Sequence, residues 1–253
     1  MNDPDTLRRA VADAALAMQN ERGSQETMQV AADAARHLVA GCQIAAVSVL
    51  TRSAFESVIT STDPDAAIFL PGGATGAHEA VQEIDTLQHE LEEGPCHEAM
   101  RRDATIHCED LAVDTRWTRW SPVALERLAV RSVVSHPLSV GAKVLGALKV
   151  YGAEPSAFTL DDVDLLGTFA VHISVALAAS RDLEHLHDAL DSRTLIGQAT
   201  GLIMARYDLS ADAAFAALAR TSQETNTKVR DLADQLVRTG RFPAEGQARR
   251  STG

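Results

Sequence analysis

Apolar residues in the C-terminal part of the chain recur at the three- and four-residue spacing of amphipathic helices. Three such segments lie between residues 188 and 240, separated by two short polar breaks. Their apolar positions are Leu195, Ile196, Ala199, Leu202 and Ile203 in the first, Ala214, Phe215 and Leu218 in the second, and Val229, Leu232, Ala233, Leu236 and Val237 in the third. Helices this short cannot bury an apolar face alone, so the pattern predicts a three-helix bundle over 188–240.

Capping residues set the predicted ends of these helices. Ser210 has the side chain of a good N-cap for the second helix, and Gly240 suits the end of the third. Residues 221–227 are rich in hydroxyl and amide side chains, which compete for backbone hydrogen bonds. We therefore expect the second helix to end before them, with Thr225 or Asn226 as the cap of the third helix.

A longer helix is predicted ahead of the bundle, with Thr159 as its N-cap. Its apolar stripe continues without a proline into the bundle. The first half of the stripe is expected to pack on a sheet, whereas Leu183, Leu186 and Leu190 lie where no sheet should remain. We therefore predict that residues 181–192 form a coiled-coil linker that pairs with its twin in a homodimer.

The N-terminal part of the chain mixes strands and helices. The predicted elements are helices within 4–40, broken near Gly23, strands at 44–50, 58–62, 105–108, 130–138 and 144–151, with a turn at Gly141 between the last two, and helices at 84–91, 95–100 and 123–129. Strands and helices do not alternate as βαβ units. The pattern therefore predicts an α+β fold with an antiparallel sheet flanked by helices.

Residues 63–79 interrupt this pattern, because prolines and glycines surround an apolar patch at 66–70. We predict an irregular segment. It is interpreted either as a mobile surface insertion or as a lid or docking segment.

Composition bears on the compartment. We expect that no apolar run is long enough to span a bilayer, and the N-terminus lacks the basic and apolar parts of a signal peptide. The chain has an odd number of cysteines, Cys42, Cys96 and Cys108, which does not suit a disulfide framework. These features predict a cytoplasmic protein with no membrane partner.

The net charge of −12 is unusual for a protein that binds nucleic acid, which normally offers a basic surface. Residues 188–240 carry six basic and seven acidic side chains, so the acidic excess belongs to the N-terminal part. Any nucleic-acid site on the bundle must therefore be a local patch.

Several residues with reactive or metal-binding side chains lie in the N-terminal part: His78, His89, Cys96, His97, His107 and Cys108. Metal sites favour spaced pairs on one face, whereas these cysteines and histidines are direct neighbours whose side chains point apart in a strand. A Cys–His nucleophile also needs an orienting group and an oxyanion site, and the sequence marks neither. We predict no catalytic residue, no metal site and no identified cofactor, with redox chemistry at Cys96 and Cys108 as the minority interpretation.

The bundle closely resembles the ANTAR domain, an RNA-binding antitermination module at the C-terminus of bacterial regulators. The match runs in order and without gaps through Ser192, Arg193, Ile196, Gly197, Gln198, Ala199, Gly201, Met204, Ala205, Arg206, Ser210, Ala214, Phe215, Leu218, Ser222, Asn226, Lys228, Leu232 and Ala233. One departure is Thr200, where the family often has a lysine. The substitution removes a plausible phosphate contact.

The resemblance implies that each bundle of a dimer holds one loop of a two-stem-loop antiterminator in an mRNA leader. Arg and Lys suit phosphates, and Gln and Asn suit base edges. The candidate RNA-binding residues are Arg193, Gln198, Thr200, Arg206, Ser222, Asn226, Lys228 and Arg230. Ser222 and Asn226 are equally good candidates for turn caps.

The region from about 30 to 180 resembles a GAF domain, a small-molecule sensor fold. The residues that carry the resemblance are Glu93, Gly94, Pro95, Cys96, Ala99, Asp110, Leu111, Asp114, Arg116, Trp117, Arg131, Ser132, Pro137, Leu138, Gly146, Ala147, Leu148, Phe158, Phe169 and Ala170. The resemblance implies a small-molecule ligand whose identity the sequence does not give.

The resulting hypothesis is a cytoplasmic GAF–ANTAR regulator. Its expected parts are a sensor domain with N-terminal helices at 1–180, the linking helix at 181–192, the RNA-binding bundle at 188–240 and a flexible tail at 241–253. The competing hypothesis is a signalling protein whose bundle docks a protein partner. A redox-active GAF enzyme is the third.

Overall fold

The computed structural model describes residues 4–21, 23–50, 55–65 and 73–241. The chain divides into two compact units, Met1–Asp182 and Leu183–Gly253. The helices are α1 (Pro4–Asn20), α2 (Ser24–Leu38), α3 (Gly73–Leu91), α4 (Pro95–Arg102), α5 (Ser121–Leu128), α6 (Leu160–Tyr207), α7 (Ala211–Thr225) and α8 (Val229–Thr239). The strands are β1 (Ile44–Leu50), β2 (Phe55–Thr62), β3 (Ile106–Cys108), β4 (Ser132–Val140) and β5 (Lys143–Gly152).

A five-stranded sheet lies in the middle of the first unit, in the order β2-β1-β5-β4-β3. Every neighbouring pair of strands is antiparallel. β4 and β5 form a hairpin that turns at Gly141, whose φ of +60° suits a residue without a Cβ atom. The predicted α+β class, with an antiparallel sheet flanked by helices, is confirmed.

Each face of the sheet has its own hydrophobic core, because successive side chains of a strand point to opposite faces. The core shared with α1, α2 and α6 includes Met28, Val47, Leu148, Phe169 and Ile173. The core shared with α3, α4 and α5 includes Ile84, Ala99, Trp120, Leu128 and Tyr151. Both cores are formed by residues that are almost completely buried.

The segment predicted to be irregular is partly helical. Residues 73–79 belong to the first turns of α3, so the prediction is wrong there. Ala77 and Val81 are buried with Ile84, and this apolar face extends the helix predicted from residue 84 toward its N-terminus. The apolar patch at 66–70 lies outside the described residues.

The expectation that no apolar run is long enough to span a bilayer is wrong for α6. By length and composition alone the helix qualifies, with an 18-residue window of mean hydropathy 1.6. However, 44% of that window is buried inside the protein. Leu166, Phe169 and Ile173 are fully buried members of the first core, so packing on the sheet accounts for much of the apolar character.

In the second unit, the end of α6 packs with α7 and α8. The core consists of Ala199, Ile203, Ala214, Leu218, Leu232, Ala233 and Leu236. The Ser210 hydroxyl accepts a hydrogen bond from the backbone N–H of Ala213 at 3.3 Å, as expected for the N-cap of α7. Gly240 ends α8 in a left-handed conformation, which is also as predicted.

The break between α7 and α8 differs from the prediction. α7 continues to Thr225, because the hydroxyls of Thr221 and Thr225 donate to the carbonyl four residues earlier instead of breaking the helix. Asn226 is the left-handed C-cap of α7, and Lys228 occupies the N-cap position of α8. The prediction that Thr225 or Asn226 caps α8 is therefore wrong.

Candidate functional site

One contact closes the α7–α8 turn, and a second ties the start of α8 to α6. The Ser222 hydroxyl donates to the Thr227 carbonyl at 2.6 Å, which closes the turn. The Arg230 guanidinium lies 3.6 Å from the Asp188 carboxylate, which ties the start of α8 to α6. Arg193 is exposed about 7.5 Å further along α6 and about 140° around the helix from Asp188, at 1.5 Å and 100° per residue. We call Arg193, Lys228 and Arg230 the basic end of the bundle.

The polar candidates differ in how far their side chains are engaged. Gln198 is exposed on α6, and Asn226 is exposed in the turn. The Thr200 hydroxyl donates to the Ile196 carbonyl at 2.7 Å, within its own helix. Ser222 is half-buried and engaged with Thr227, so the structure favours turn-capping roles for Ser222 and Asn226.

Arg206 has a structural contact that the sequence did not indicate. Its guanidinium donates to the Gly240 carbonyl at 2.8 Å, which joins the end of α6 to the end of α8. It also lies 6.0 Å from the centre of the Tyr207 ring. Removing this side chain would therefore disturb the bundle as well as any ligand contact.

The basic side chains of the bundle differ in whether an acidic side chain lies beside them. Arg230 faces Asp188, and Arg238 lies 3.4 Å from Asp234, so part of the positive charge is already compensated. Arg193 and Lys228 are exposed. Arg220 is also exposed, on α7, and was not among the predicted contact residues.

Apolar groups gather at the opposite end of the bundle. A cavity of about 270 Å³ is lined by Leu202, Ile203, Ala205, Arg206, Tyr207, Leu236 and Gly240. Leu202, Tyr207 and Phe215 are 44%, 42% and 48% exposed, which is high for large apolar side chains. This end offers apolar contact area next to the Arg206 guanidinium.

The first unit contains a completely buried charge pair between the sheet and α3. The Lys149 ammonium contacts the Asp85 carboxylate, and neither side chain is exposed. The Ser48 hydroxyl donates to Asp85 at 2.6 Å and accepts from Lys149 at 2.6 Å. Gln88 donates to the second Asp85 oxygen at 3.1 Å. The pair is therefore embedded in hydrogen bonds, as a buried ion pair requires.

The same network reaches the start of α4. The Gln88 side-chain carbonyl accepts a hydrogen bond from the Cys96 backbone N–H at 2.8 Å. Gly94 has φ of +123°, and an added Cβ there would collide with the Gln88 side chain. A glycine at position 94 is thus needed for α4 to begin against α3.

Two arginine–aspartate ion pairs hold segments of the first unit together. All four residues belong to the GAF resemblance. Arg131 and Asp110 form a two-pronged ion pair with distances of 2.6 and 2.8 Å. Arg116 donates to Asp114 at 2.6 Å and lowers the pKa of that carboxyl to about 2. These residues fix the loop between β3 and α5 and the start of β4.

All three cysteines are buried thiols. Burial raises the pKa of Cys42, Cys96 and Cys108 to about 12, and hydrogen bonding to Asp114 adds to the effect at Cys108. Thiol chemistry needs the thiolate, which these surroundings disfavour. Among the described residues, His, Cys, Asp and Glu form no group of three or more that could hold a metal ion.

The raised pKa values give a testable expectation for thiol labelling. At pH 8 a thiol with a pKa of about 12 is only ~0.01% thiolate, so native protein should react negligibly with a thiol-specific disulfide reagent. Urea-unfolded protein should release the full three equivalents at once. Rapid labelling of native Cys96 or Cys108 would restore redox chemistry as a serious alternative.

The folded arrangement is that of a sensor-type α+β domain followed by a small helical bundle. The family model described as GAF domain matches residues 21–178, and the one described as ANTAR domain matches residues 184–237. The chain belongs to the GAF domain family and carries an ANTAR domain after its GAF domain. Comparison with curated proteins gave no match.

Solved structures are similar to the first unit in fold. The GAF domain of an Acinetobacter phosphoenolpyruvate-protein phosphotransferase has a TM-score of 0.53 at 13% identity, covering 73% of this chain and 99% of that one. A GAF sensor protein from Burkholderia vietnamiensis has a TM-score of 0.52 at 12% identity, covering 71% and 98%. A free methionine-R-sulfoxide reductase from Neisseria meningitidis has a TM-score of 0.50 at 15% identity, covering 72% and 95%. At these identities the likeness concerns the fold alone.

Proposed function

We propose that the protein is a cytoplasmic transcription antitermination regulator that senses a signal through its GAF domain and binds stem-loops of nascent mRNA through its ANTAR domain. The observation that carries the proposal is the ANTAR domain at 184–237, folded as a bundle with exposed basic side chains at one end. A GAF domain in the same chain supports a regulatory role with a small-molecule ligand.

The basic end is the surface that we assign to RNA. Arg193 and Lys228 are exposed, and the α7–α8 turn brings Lys228 and Arg230 beside the same stretch of α6. Stem-loops are read at unpaired bases and backbone phosphates, which a small polar surface with a few cations can contact. Gln198 and Asn226 are exposed amides on the elements that carry these cations.

The proposed active species is a homodimer joined through Leu183, Leu186 and Leu190, which are 57%, 59% and 54% exposed on α6. Leucines left in solvent at heptad spacing favour pairing with another helix. A dimer would place two bundles on one RNA with two hairpins.

The RNA assignment is tested by substituting the basic end. The probe is a labelled pool of RNAs with two hairpins and randomised loops, and full-length protein is titrated in a fluorescence assay. We expect Arg193→Ala and Lys228→Ala each to weaken binding by about tenfold, since a charge-assisted contact contributes about 1.5–3 kcal/mol. Arg238→Ala is the matched control, because Arg238 faces Asp234 away from this end. If all three variants bind the RNA pool with the affinity of the wild type, the basic end is not the RNA-binding surface.

A second candidate function is docking of a protein partner by the bundle. The apolar end favours it, with a cavity of about 270 Å³ and exposed Leu202, Tyr207 and Phe215. Under this hypothesis, Phe215→Ser would abolish the regulatory function while RNA binding by the purified protein would be absent from the start.

A further inference from the structure

The cavity of about 270 Å³ in the bundle lies between the end of α6 and the end of α8. Two of its lining residues, Ile203 and Leu236, are buried members of the bundle core, so the cavity reaches that core. Leu202 and Tyr207 also line it and are largely exposed. Apolar surface of this kind is stabilised when another apolar group covers it.

The polypeptide leaves α8 at the rim of this cavity. Gly240 lines the cavity and is the left-handed C-cap of α8, with φ of +66°. Its carbonyl accepts a hydrogen bond from the Arg206 guanidinium at 2.8 Å, which ties this backbone to α6. The Arg241 backbone N–H then donates to the Thr239 hydroxyl at 3.2 Å. The chain is therefore held beside the cavity as far as Arg241.

Phe242 is the first residue after this anchored stretch and follows the described range directly. It is the one large apolar residue among positions 241–253. Consecutive Cα atoms are about 3.8 Å apart, so the Cα of Phe242 can lie no further than about 7.6 Å from that of Gly240. Pro243 disfavours a helical conformation of the residue before it, so Phe242 cannot simply continue α8 away from the rim.

We infer that the phenyl ring of Phe242 occupies this cavity in the same chain. The ring covers the exposed side of Leu202 and contacts Leu236, and an aromatic side chain has roughly 150–250 Å² of surface to bury. Arg206 lines the same cavity, where its guanidinium can lie against the face of the ring as a cation–π partner. The expectation of a flexible tail at 241–253 is thereby narrowed to the residues after Pro243.

The contact gives α8 a tie to α6 at each end. Arg230 and Asp188 connect the start of the helix to α6. Phe242 connects its end, beside the hydrogen bond from Arg206 to Gly240. An α8 of 11 residues is too short to be stable alone, so contacts at both ends determine how firmly it stays on the bundle.

Connectivity favours Phe242 over a separate molecule in this cavity. A side chain tethered two residues from the rim is present at an effective concentration on the order of millimolar or higher. Its burial also avoids the loss of translational and rotational freedom that association of two molecules costs. A second copy of the chain offers the same phenylalanine without this advantage.

The inference bears on protein docking and not on the RNA assignment, because the basic end lies at the other end of the bundle. With Phe242 in the cavity, the free protein does not present Leu202 and Leu236 to a partner. A protein that docks on this end must first displace Phe242. The tail would then set the threshold for docking.

Thiol protection tests the inference in the full-length protein, whose own cysteines are buried. Ala205→Cys places a thiol in the cavity lining, and Ala216→Cys is the matched control, since both alanines are exposed on helices. A thiol-specific disulfide reagent should label the Ala205→Cys thiol at least about tenfold more slowly than the control. Adding Phe242→Ser should bring the two rates together and leave the control rate unchanged.

Hydrogen exchange followed by mass spectrometry tests the effect on α8. In full-length Phe242→Ser, the amides of α8 should exchange about tenfold faster, because the tie at its end is lost. Phe242→Leu should keep most of the protection, since another large apolar side chain can fill the cavity. Peptides from the sheet of the first unit are the internal control and should be unchanged.

The outcomes separate Phe242 of the same chain from other occupants. Protection of the Ala205→Cys thiol that is independent of protein concentration and is lost with Phe242→Ser supports the inference. Protection that disappears on dilution assigns the cavity to a second copy and overturns it. Equal labelling of both thiols with Phe242 present, protection that persists in Phe242→Ser, or unchanged exchange of α8 in Phe242→Ser also overturns it.

Discussion

Replacing Lys149 by methionine should lower the stability of the GAF domain by about 3–5 kcal/mol. The substitution keeps the length of the side chain but leaves the completely buried Asp85 carboxylate without its cation. Ser48 and Gln88 still donate to Asp85, yet two neutral donors cannot replace the ammonium. A buried charge that loses its partner must either stay uncompensated or take up a proton, and both alternatives destabilise the folded state.

Urea unfolding followed by tryptophan fluorescence measures this effect in the full chain. The only two tryptophans, Trp117 and Trp120, are buried in the core that covers the charge pair, so the signal reports on the GAF domain. With a slope of roughly 2 kcal/mol per molar urea, the midpoint should fall by about 1.5–2.5 M.

The double variant Lys149→Met, Asp85→Leu is the matched control for this prediction. Because no charge remains buried, it should recover most of the lost stability. The contradicting result would be additive losses: the double variant would then be less stable than Lys149→Met by as much as Asp85→Leu alone destabilises the wild type. Additive losses would show that the two residues act independently.

Replacing Leu186 by glutamate should weaken binding of the two-hairpin RNA by about a hundredfold or more, without touching any RNA contact. The side chain is 59% exposed on α6, and a buried charge at the centre of the proposed seam would separate the protomers. Two linked binding modules gain about 10²–10⁴ in affinity over one, and a monomer loses that gain.

The comparison with a single-hairpin RNA makes this result specific. Each bundle of the Leu186→Glu variant should still bind one hairpin with the affinity of the wild type. Leu202→Glu is the matched control, since Leu202 is also exposed on α6 but points about 160° away from Leu186 around the helix. Equal losses for both RNAs would point to damage to the bundle and not to separation of the dimer.

Periodicity and capping predicted much of the fold because the signals are local. The leucine and alanine rows of the bundle, the Ser210 cap and the Gly141 hairpin turn can each be read from a few neighbouring residues. The α7–α8 break was misplaced because hydroxyl side chains can either break a helix or bond back to it. The fold of the surroundings decides between these, as it does at Thr221 and Thr225.

Contacts between residues that are far apart in the chain could not be predicted from the sequence. Lys149 and Asp85 are 64 positions apart, and nothing near either residue indicates that they meet in the interior. Arg206 and Gly240 likewise come together only through the packing of α6 against α8.

The salt dependence of RNA binding tests the central claim most directly. Full-length protein is titrated with the two-hairpin pool between about 50 and 300 mM potassium chloride, beside Lys228→Ala, because counterion release is measurable over this range. We predict that log K falls linearly with log salt, with a slope smaller in magnitude by about 0.7–0.9 for Lys228→Ala. A folded dimer that fails to bind the pool at the lowest salt, or binds it with no salt dependence, would contradict the assignment of RNA to the basic end.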